Sequence, residues 1–463
     1  MNFIRDFMSL GASVMMLIIF LVFGLLLKIS FGKALKSGLL IGVGFVGLST
    51  ITQLLADNLG PAVNAMVKIY NLHLYTLDIG WPAASTIAYG TEIGAITIPL
   101  GIGINVLMIF TKTTRTLNVD LWNYWHFAFV GSIVAIATDS FFKGIFGVVI
   151  TTIMTLIGAD FSQKKVESFY GSDLKGISLP NAFCVGFIPF AIIVNKLIDY
   201  LPKINKLDFD ADKLQQKIGI FGDPIFLGVV IGSLLGILAR YPLAKVLQLG
   251  MVLSAVMVLI PKVTQLFIDG LLPMSTRAEE IISHKFKKRS FNIGMTAALV
   301  IGHPTTIVCS LILVPIILFL SVIMPGNEFL PLASLSGLIY LFPMILPYTN
   351  GNIVRSFIVG LVALLFGIVS ATSIAPIFTE AANIVQSTLI PVGTSSVASI
   401  DFAASLITFV IYHLTTYGSL IGPAVIAFLA LVLMLKNRKR IIEENNEALS
   451  MRKNSDCISI KDD

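Results

Sequence analysis

The residues best equipped for chemistry in this chain stand where Gly or Pro interrupts an apolar stretch. Asp78-Ile79-Gly80-Trp81-Pro82-Ala83-Ala84-Ser85-Thr86 leads into a run holding Tyr89, Thr91 and Glu92. Gly-Trp-Pro cannot continue a regular helix, so freed backbone groups, with Ser85 and Thr86, can hydrogen-bond a polyhydroxylated ligand. An interfacial turn with Trp81 as aromatic anchor is the other reading. Asp120-Leu121-Trp122-Asn123-Tyr124-Trp125-His126 opens the apolar run to Ile157. Its tryptophans offer stacking faces for C–H groups, and Asn123 and His126 offer donors and acceptors; a membrane-surface belt explains the aromatics equally well.

Gly302-His303-Pro304-Thr305-Thr306 places a histidine at a break. A neutral imidazole both donates and accepts, which suits a sugar hydroxyl, and equally suits a carbonyl freed by Pro304. Tyr348-Thr349-Asn350-Gly351-Asn352, with Arg355 beyond, reads as a ligand-lining loop or as an exposed turn. Ser395-Ser396-Val397-Ala398-Ser399-Ile400-Asp401 sets small residues, which let backbones pack closely, beside a carboxylate that at membrane depth needs a partner or a function.

Other chemistries lack their residues. There is no Walker A pattern, GxSxG elbow or HExxH, and Gly101-Ile102-Gly103 lacks the third glycine of a dinucleotide loop. Cys184, Cys309 and Cys457 are odd in number and scattered, against a disulfide framework or a zinc site. No cofactor and no metal are expected.

The elements that must position these clusters are membrane helices. Of 463 residues 56% are hydrophobic and 13% charged, against about 25% charged in a soluble domain. Runs reaching or approaching the ~20 residues that cross a bilayer are Met8–Leu27, Gly38–Ala56, Gly94–Phe110, Ala128–Ile157, Ile225–Leu238, Leu247–Ile260, Thr305–Met324, Phe329–Pro347, Ile353–Thr372 and Ser405–Leu435. Two of the long runs read as bent pairs or hairpins, giving roughly ten to eleven spans. Met8–Leu27, with no small-residue cleavage site after it, reads as an uncleaved first helix.

At an offset of 212 residues the chain matches itself: Thr52-Gln53-Leu54, Asp57, Leu59 and Pro61 return as Thr264-Gln265-Leu266, Asp269, Leu271 and Pro273. Slipped by two, Ile79-Gly80 and Ala83-Ala84 find Ile293-Gly294 and Ala297-Ala298. The segment Ala62–Asp78 carries one basic residue, Lys68, whereas Met274–Ser290 carries Arg277, Lys285, Lys287, Lys288 and Arg289. Positive loops stay in the cytoplasm, so the halves are read as inverted. The expected organisation is a first membrane repeat over 1–219, an inverted second over 220–404, a final transmembrane helix over 405–435 and a polar, disordered or helical cytoplasmic tail over 436–463. Lys28, Lys33 and Lys36 put the N-terminus outside and the tail inside, while Arg240 and Lys245 run against the rule. Inverted repeats with broken helices are a transporter construction. The fold expected is an all-α polytopic membrane protein of two repeats of about five spans plus a final helix, with re-entrant or broken helices.

Short motifs in a fixed order then carry a resemblance across nearly the whole chain: Gly42-Val43-Gly44-Phe45-Val46-Gly47, Asp78-Ile79-Gly80-Trp81-Pro82, Val119 to His126, Phe221-Gly222-Asp223-Pro224, Gly302-His303, Pro325-Gly326-Asn327, Gly351-Asn352 and Val397-Ala398-Ser399-Ile400-Asp401. The chain resembles the galactitol-type IIC component of the bacterial phosphoenolpyruvate-dependent sugar phosphotransferase system, in the ascorbate–galactitol superfamily. The resemblance implies an inner-membrane homodimer of elevator type, in which a mobile core delivers a sugar to a cytosolic IIB protein. IIB, charged through IIA, phosphorylates that sugar from a phosphocysteine. Where galactitol-type relatives are expected to have Pro-His-Gly, Asp-Pro-Ala and Gln-Gly-Gly, this chain has Pro180-Asn181-Ala182, Thr296-Ala297-Ala298 and Phe402-Ala403-Ala404. Galactitol is therefore the leading substrate among sugars and polyols.

The expected ligand contacts are His126, His303, Asn350, Asp401, Ser85, Thr86, Trp81, Asn181 and Thr296. Two rivals stand beside a phosphotransferase permease. One is an ion-coupled secondary transporter using His126, His303 or Asp401 as a proton carrier; the other is a membrane-embedded enzyme pairing Asp120 with His126 or His303.

Overall fold

The computed structural model describes residues 12–459 except 71–73, 119, 172–173, 205, 208, 210–222, 286–290, 386–389 and 391–394. Lys287, Lys288, Arg289, Val119, Phe221, Gly222, the first residues of the predicted helix Met8–Leu27 and residues 460–463 lie outside the described residues. The first half runs α1 (Ala12–Leu26), α2 (Phe31–Tyr70), β1 (Thr76–Asp78), α3 (Gly80–Tyr89), α4 (Glu92–Phe110), β2 (Thr116–Asn118), a 3₁₀ turn (Leu121–Asn123), α5 (Tyr124–Thr138), α6 (Phe141–Tyr170), β3 (Ile177–Ser178), α7 (Ala182–Val185) and α8 (Ile188–Asp199). The second runs α9 (Pro224–Leu238), α10 (Leu243–Lys285), β4 (Asn292–Gly294), a 3₁₀ turn (Ala297–Leu299), α11 (Pro304–Ile323), β5 (Phe329–Leu330), a 3₁₀ helix (Ala333–Met344), α12 (Leu346–Thr349), α13 (Ile353–Val385), β6 (Ser396–Ala398), α14 (Ile400–Ala403) and α15 (Leu406–Tyr417), followed by α16 (Ile421–Ser459).

Seven helices among the described residues are long and apolar enough to cross a membrane, and Met16–Leu26, Ile225–Leu238 and Leu406–Tyr417 are shorter apolar helices. The chain is a polytopic, mainly helical membrane protein. Element lengths recur between the halves: 15 and 15 residues for α1 and α9, 40 and 43 for α2 and α10, 30 and 33 for α6 and α13, and a 4-residue helix followed by a 12-residue helix at α7–α8 and α14–α15. A local bond recurs too: Gln53 Nε2 donates to Asp57 one turn on at 2.6 Å, and Gln265 Nε2 to Asp269 at 2.8 Å.

Expectation and structure differ in the strands, in their register, in Phe329–Pro347 and in two segments read as loops. The fold is not purely helical, because six short strands among the described residues form two parallel three-stranded sheets, β5-β1-β6 and β2-β4-β3. Each half gives its first strand to the centre of one sheet and its other two to the edges of the opposite sheet. Leu77 pairs with Leu330 and Val397, and Ile293 with Leu117 and Ile177, so Leu77 rather than Ile79 stands where Ile293 stands.

Ala128–Ile157 and Ser405–Leu435 are each two helices, in line with the hairpin reading of two long runs. Asp139, with φ of 47°, ends α5, and Ser419, with φ of 52°, separates α15 from α16. The final helix therefore starts at Ile421, and residues 436–459 continue it. Phe329–Pro347 is no spanning helix: Pro331, Gly337, Pro343 and Pro347 break it into β5, the 3₁₀ helix and α12. Ala62–Tyr70 and Met274–Lys285 are closing turns of α2 and α10 rather than loops.

The layers follow from packing. Helices α1, α2, α9 and α10 pack most extensively on one another, while α4, α5, α6, α11, α13 and the broken segments pack around the two sheets. Strand pairing lets these segments leave helical geometry at depth with their backbone groups satisfied.

Candidate functional site

Every strand leads into a short helix or 3₁₀ turn, so each sheet gathers three helix starts with unpaired N–H groups. At the sheet centred on β1 a single carboxylate serves several of them. Asp78, fully buried, accepts from the backbone of Gly80 at 2.9 Å, Leu332 at 2.8 Å and Ser334 at 2.7 Å, and from Ser334 Oγ at 2.8 Å. Ser334 Oγ accepts in turn from the Ile400 amide at 3.3 Å, joining the third segment.

Asp401 follows the third strand of that sheet. It accepts from the Trp81 amide at 3.2 Å and from Ser399 Oγ at 3.4 Å. A Cβ at position 337 would stand 2.5 Å from its Oδ1, so Gly337 is what makes room for this carboxylate. Among the described residues, no Lys or Arg forms an ion pair with Asp78 or Asp401.

At the sheet centred on β4 each helix start is capped by its own side chain. Asp120 accepts from the Trp122 amide at 3.0 Å, Asn181 from Cys184 at 3.1 Å and Thr296 from Ala298 at 3.3 Å. Behind them buried amides form a chain: Asn181 Nδ2 donates to Asn123 at 3.2 Å, Asn123 Nδ2 to Asn118 at 3.2 Å, and the Asn118 backbone to Asn105 at 2.9 Å.

Between the two sets of helix starts lies a small cavity of ≈ 40 Å³ lined by Trp81, Trp122, Trp125, His126, Asn181, Phe183, Thr296, Tyr340 and Asp401. Its wall is an aromatic run: Trp81 meets Trp122 edge-on at 5.5 Å, Trp122 lies 6.3 Å from Trp125, and Trp125 stacks on His126 at 3.7 Å. The chain has three tryptophans, and all of them are here. Trp125 Nε1 and His126 Nδ1 are buried without a hydrogen-bond partner of acceptable geometry, although the imidazole has a weaker contact with the Asn123 backbone. Buried donors and acceptors in this state are what a hydroxylated ligand would complete. Aromatic faces for C–H groups with a carboxyl, an amide, a hydroxyl and an imidazole at the edges suit a neutral polyhydroxylated molecule.

Five of the residues expected from sequence, Trp81, His126, Asn181, Thr296 and Asp401, meet at this cavity. Four do not line it. His303 caps α11, its Nδ1 accepting from the Thr305 amide at 3.2 Å, and its ring packs 5.2 Å from Phe169. Asn350, at φ of 52°, ends α12 and is exposed. Ser85 and Thr86 are buried inside α3. Asp120, offered as an enzymatic partner for a histidine, is occupied as a cap. Tyr340 and Phe183 escaped the sequence reading: Tyr340 lay within a run taken for a spanning helix, and the signal for Phe183 was its place two residues after Asn181. A longer groove between α9 and α11, including Leu227, Leu234, Leu318 and Phe319, is lined by apolar residues alone and offers hydroxyls nothing.

The family model of PTS system sugar-specific permease components, EIIC-GAT, matches residues 6–393. The chain is 34% identical over 422 residues to the galactitol-specific EIIC component of the PTS system of Escherichia coli K12, covering 91% of this chain and 92% of that one. It is 36% identical over 375 residues to a putative permease IIC component of the same organism, covering 81% and 85%. A galactitol-specific EIIC component from Escherichia coli O157:H7 matches at 34% over 422 residues. By a match over most of its length, the chain belongs to the EIIC-GAT family of sugar-specific permease components of the phosphotransferase system.

Proposed function

We propose that this chain is the membrane translocation subunit of a phosphotransferase permease for galactitol or a closely related polyol, and that the cavity between the two sheets is its substrate site. The observation that carries the reading is that cavity itself, where three tryptophans and the polar groups of His126, Asn181, Thr296 and Asp401 converge. The relatives named galactitol-specific support the substrate class. A neutral polyol uses hydrogen bonds and C–H contacts to aromatic faces and needs no cation. His303, Asn350, Ser85 and Thr86 take structural roles in this reading.

The subunit lies in the inner membrane of a bacterium as an elevator-type homodimer, with about ten to eleven membrane passages, its N-terminus outside and its C-terminus cytoplasmic. Two inverted repeats divide near residue 220. The recurring element lengths and the exchange of strands support the division, and the α14–α15 pair extends the second repeat to Tyr417. The elevator reading is supported by the separation of α1, α2, α9 and α10 from the rest and by the apolar groove at that seam, which holds few polar contacts to break. The sugar passes to a cytosolic IIB protein, itself charged by IIA, and IIB phosphorylates it; this chain binds, orients and moves the polyol and carries no phosphoryl group.

The test is uptake of labelled galactitol by cells expressing the chain with and without the soluble phosphotransferase proteins. Phosphorylated polyol appearing only with the partners is the expected result. Free polyol accumulating under a pH gradient without them would establish the ion-coupled alternative, with Asp401 as the proton carrier.

A further inference from the structure

The cytoplasmic end of the chain reaches the cavity through a continuous set of hydrogen bonds centred on Asp160, a carboxylate of α6 that the substrate site does not use. Asp160 is only 6% exposed and forms no ion pair among the described residues. Four donors hold it: Thr114 Oγ1 at 2.7 Å, the Arg115 amide at 3.0 Å, Thr116 Oγ1 at 2.7 Å and Asn437 Nδ2 at 2.7 Å. Three of these belong to the segment that opens β2, and the fourth comes from α16, more than 270 residues away in sequence.

The grip of α16 on that segment is broad. Asn437 Nδ2 also donates to the Thr113 carbonyl at 2.9 Å. The Arg115 guanidinium pairs with Glu444 and donates to the Ile441 carbonyl at 3.0 Å and to Asn445 at 2.9 Å; Lys164 reaches the other Glu444 oxygen at 2.7 Å.

From the same segment the bonds lead inward. Thr116 Oγ1 meets Ser178 Oγ of β3 at 2.9 Å, and the Thr116 carbonyl accepts from Asn105 Nδ2 at 2.8 Å. Asn105 holds the Asn118 amide, Asn118 meets Asn123, and Asn123 meets Asn181 at the cavity wall. In a low-dielectric interior such a chain biases the orientation of its last member, since Asn105, Asn123 and Asn181 each both donate and accept through their side-chain amides, while Asn118 contributes its Oδ1 and backbone and its Nδ2 is buried without a partner.

We propose that Asp160 is a positioning residue for the polyol site, and that the Asn437–Asn445 stretch of α16 is the cytoplasmic anchor that sets the orientation of Asn181 through it. The inference rests on the cavity being the substrate site. It makes substrate affinity depend on side chains at the cytoplasmic end of α16 that never touch the substrate.

The experiment is a double-mutant cycle read by binding of labelled galactitol to the purified full-length chain, with thermal melting to show that each variant is folded. Asn437→Ala is expected to weaken binding about fivefold, the scale of one ordinary hydrogen bond. In an Asn181→Ala background the same change is expected to have less than a twofold effect. Asp160→Asn, which sets an amide against four donors, should weaken binding more; if it does not fold, Glu444→Gln at the partly exposed edge is the milder probe, with about a twofold effect expected.

A purely structural role predicts lower melting temperatures with unchanged affinity, or equal effects in both backgrounds, and either result overturns the inference. If Asp401→Asn and Asn181→Ala themselves bind normally, the cavity reading falls and the inference falls with it. If those two impair binding while Asn437→Ala does not, the inference alone is wrong.

Discussion

The two sheets are built alike and capped differently. At the sheet centred on β1, Asp78 alone takes backbone donors from two chain segments and holds the third through Ser334. At the sheet centred on β4, Asp120, Asn181 and Thr296 each cap only their own turn. A shared cap makes three segments depend on one buried carboxylate and leaves that carboxylate no capacity for a ligand. Local caps make each turn independent, and two of the capping side chains, Asn181 and Thr296, also face the cavity. The first arrangement secures the fold and leaves Asp401 on the cavity wall outside the shared cap; the second lets Asn181 and Thr296 cap their turns and line the cavity together.

The largest way to break that contrast is Asp78→Ala. It strands four buried donors, at a cost of at least about 3 kcal/mol, and the variant is expected to lose its monodisperse peak and its cooperative melt. A well-folded Asp78→Ala protein would show that the shared cap is dispensable. Next comes Gly337→Ala, whose Cβ would displace the Asp401 carboxylate. Galactitol binding should weaken about tenfold or more while the melt shifts by no more than overpacking allows, about 1–3 kcal/mol. Asn181→Ala should cost about 1 kcal/mol of stability, from the lost cap, and about fivefold in affinity. Thr296→Ala is the smallest, about 1 kcal/mol at most with a two- to threefold weaker affinity. If the two local-cap variants unfolded as readily as Asp78→Ala, the contrast between the sheets would be wrong.

Much of this was legible in the residues. The apolar runs announced membrane helices, and the breaks announced where polar groups would gather. Trp81, His126, Asn181, Thr296 and Asp401 were singled out from five separate stretches and reach one cavity. The sheets were not legible: strands of two or three residues carry no alternation, and their partners lie up to about 320 residues away, as with Thr76 and Ser396. The same blindness misread Phe329–Pro347 as a span and hid Tyr340 within it. His303 and Asn350 drew attention because they sit at breaks, but a break needs a cap whether or not a ligand is near, and capping is what both residues do. The repeat was found through Gln53 and Gln265, which keep a local bond in both halves; the slip to Ile79 arose because Ile-Gly pairs are common in such sequences and strand register is not written in them.

The most direct test of the substrate site uses the fact that every tryptophan in the chain lines it. Intrinsic tryptophan emission of the purified protein, titrated with galactitol, should change saturably, with the midpoint matching binding of the labelled polyol, and Asp401→Asn should abolish or strongly weaken both signals. Labelled galactitol that binds without altering the emission, or that binds Asp401→Asn as it binds the parent chain, would place the polyol elsewhere and contradict the account.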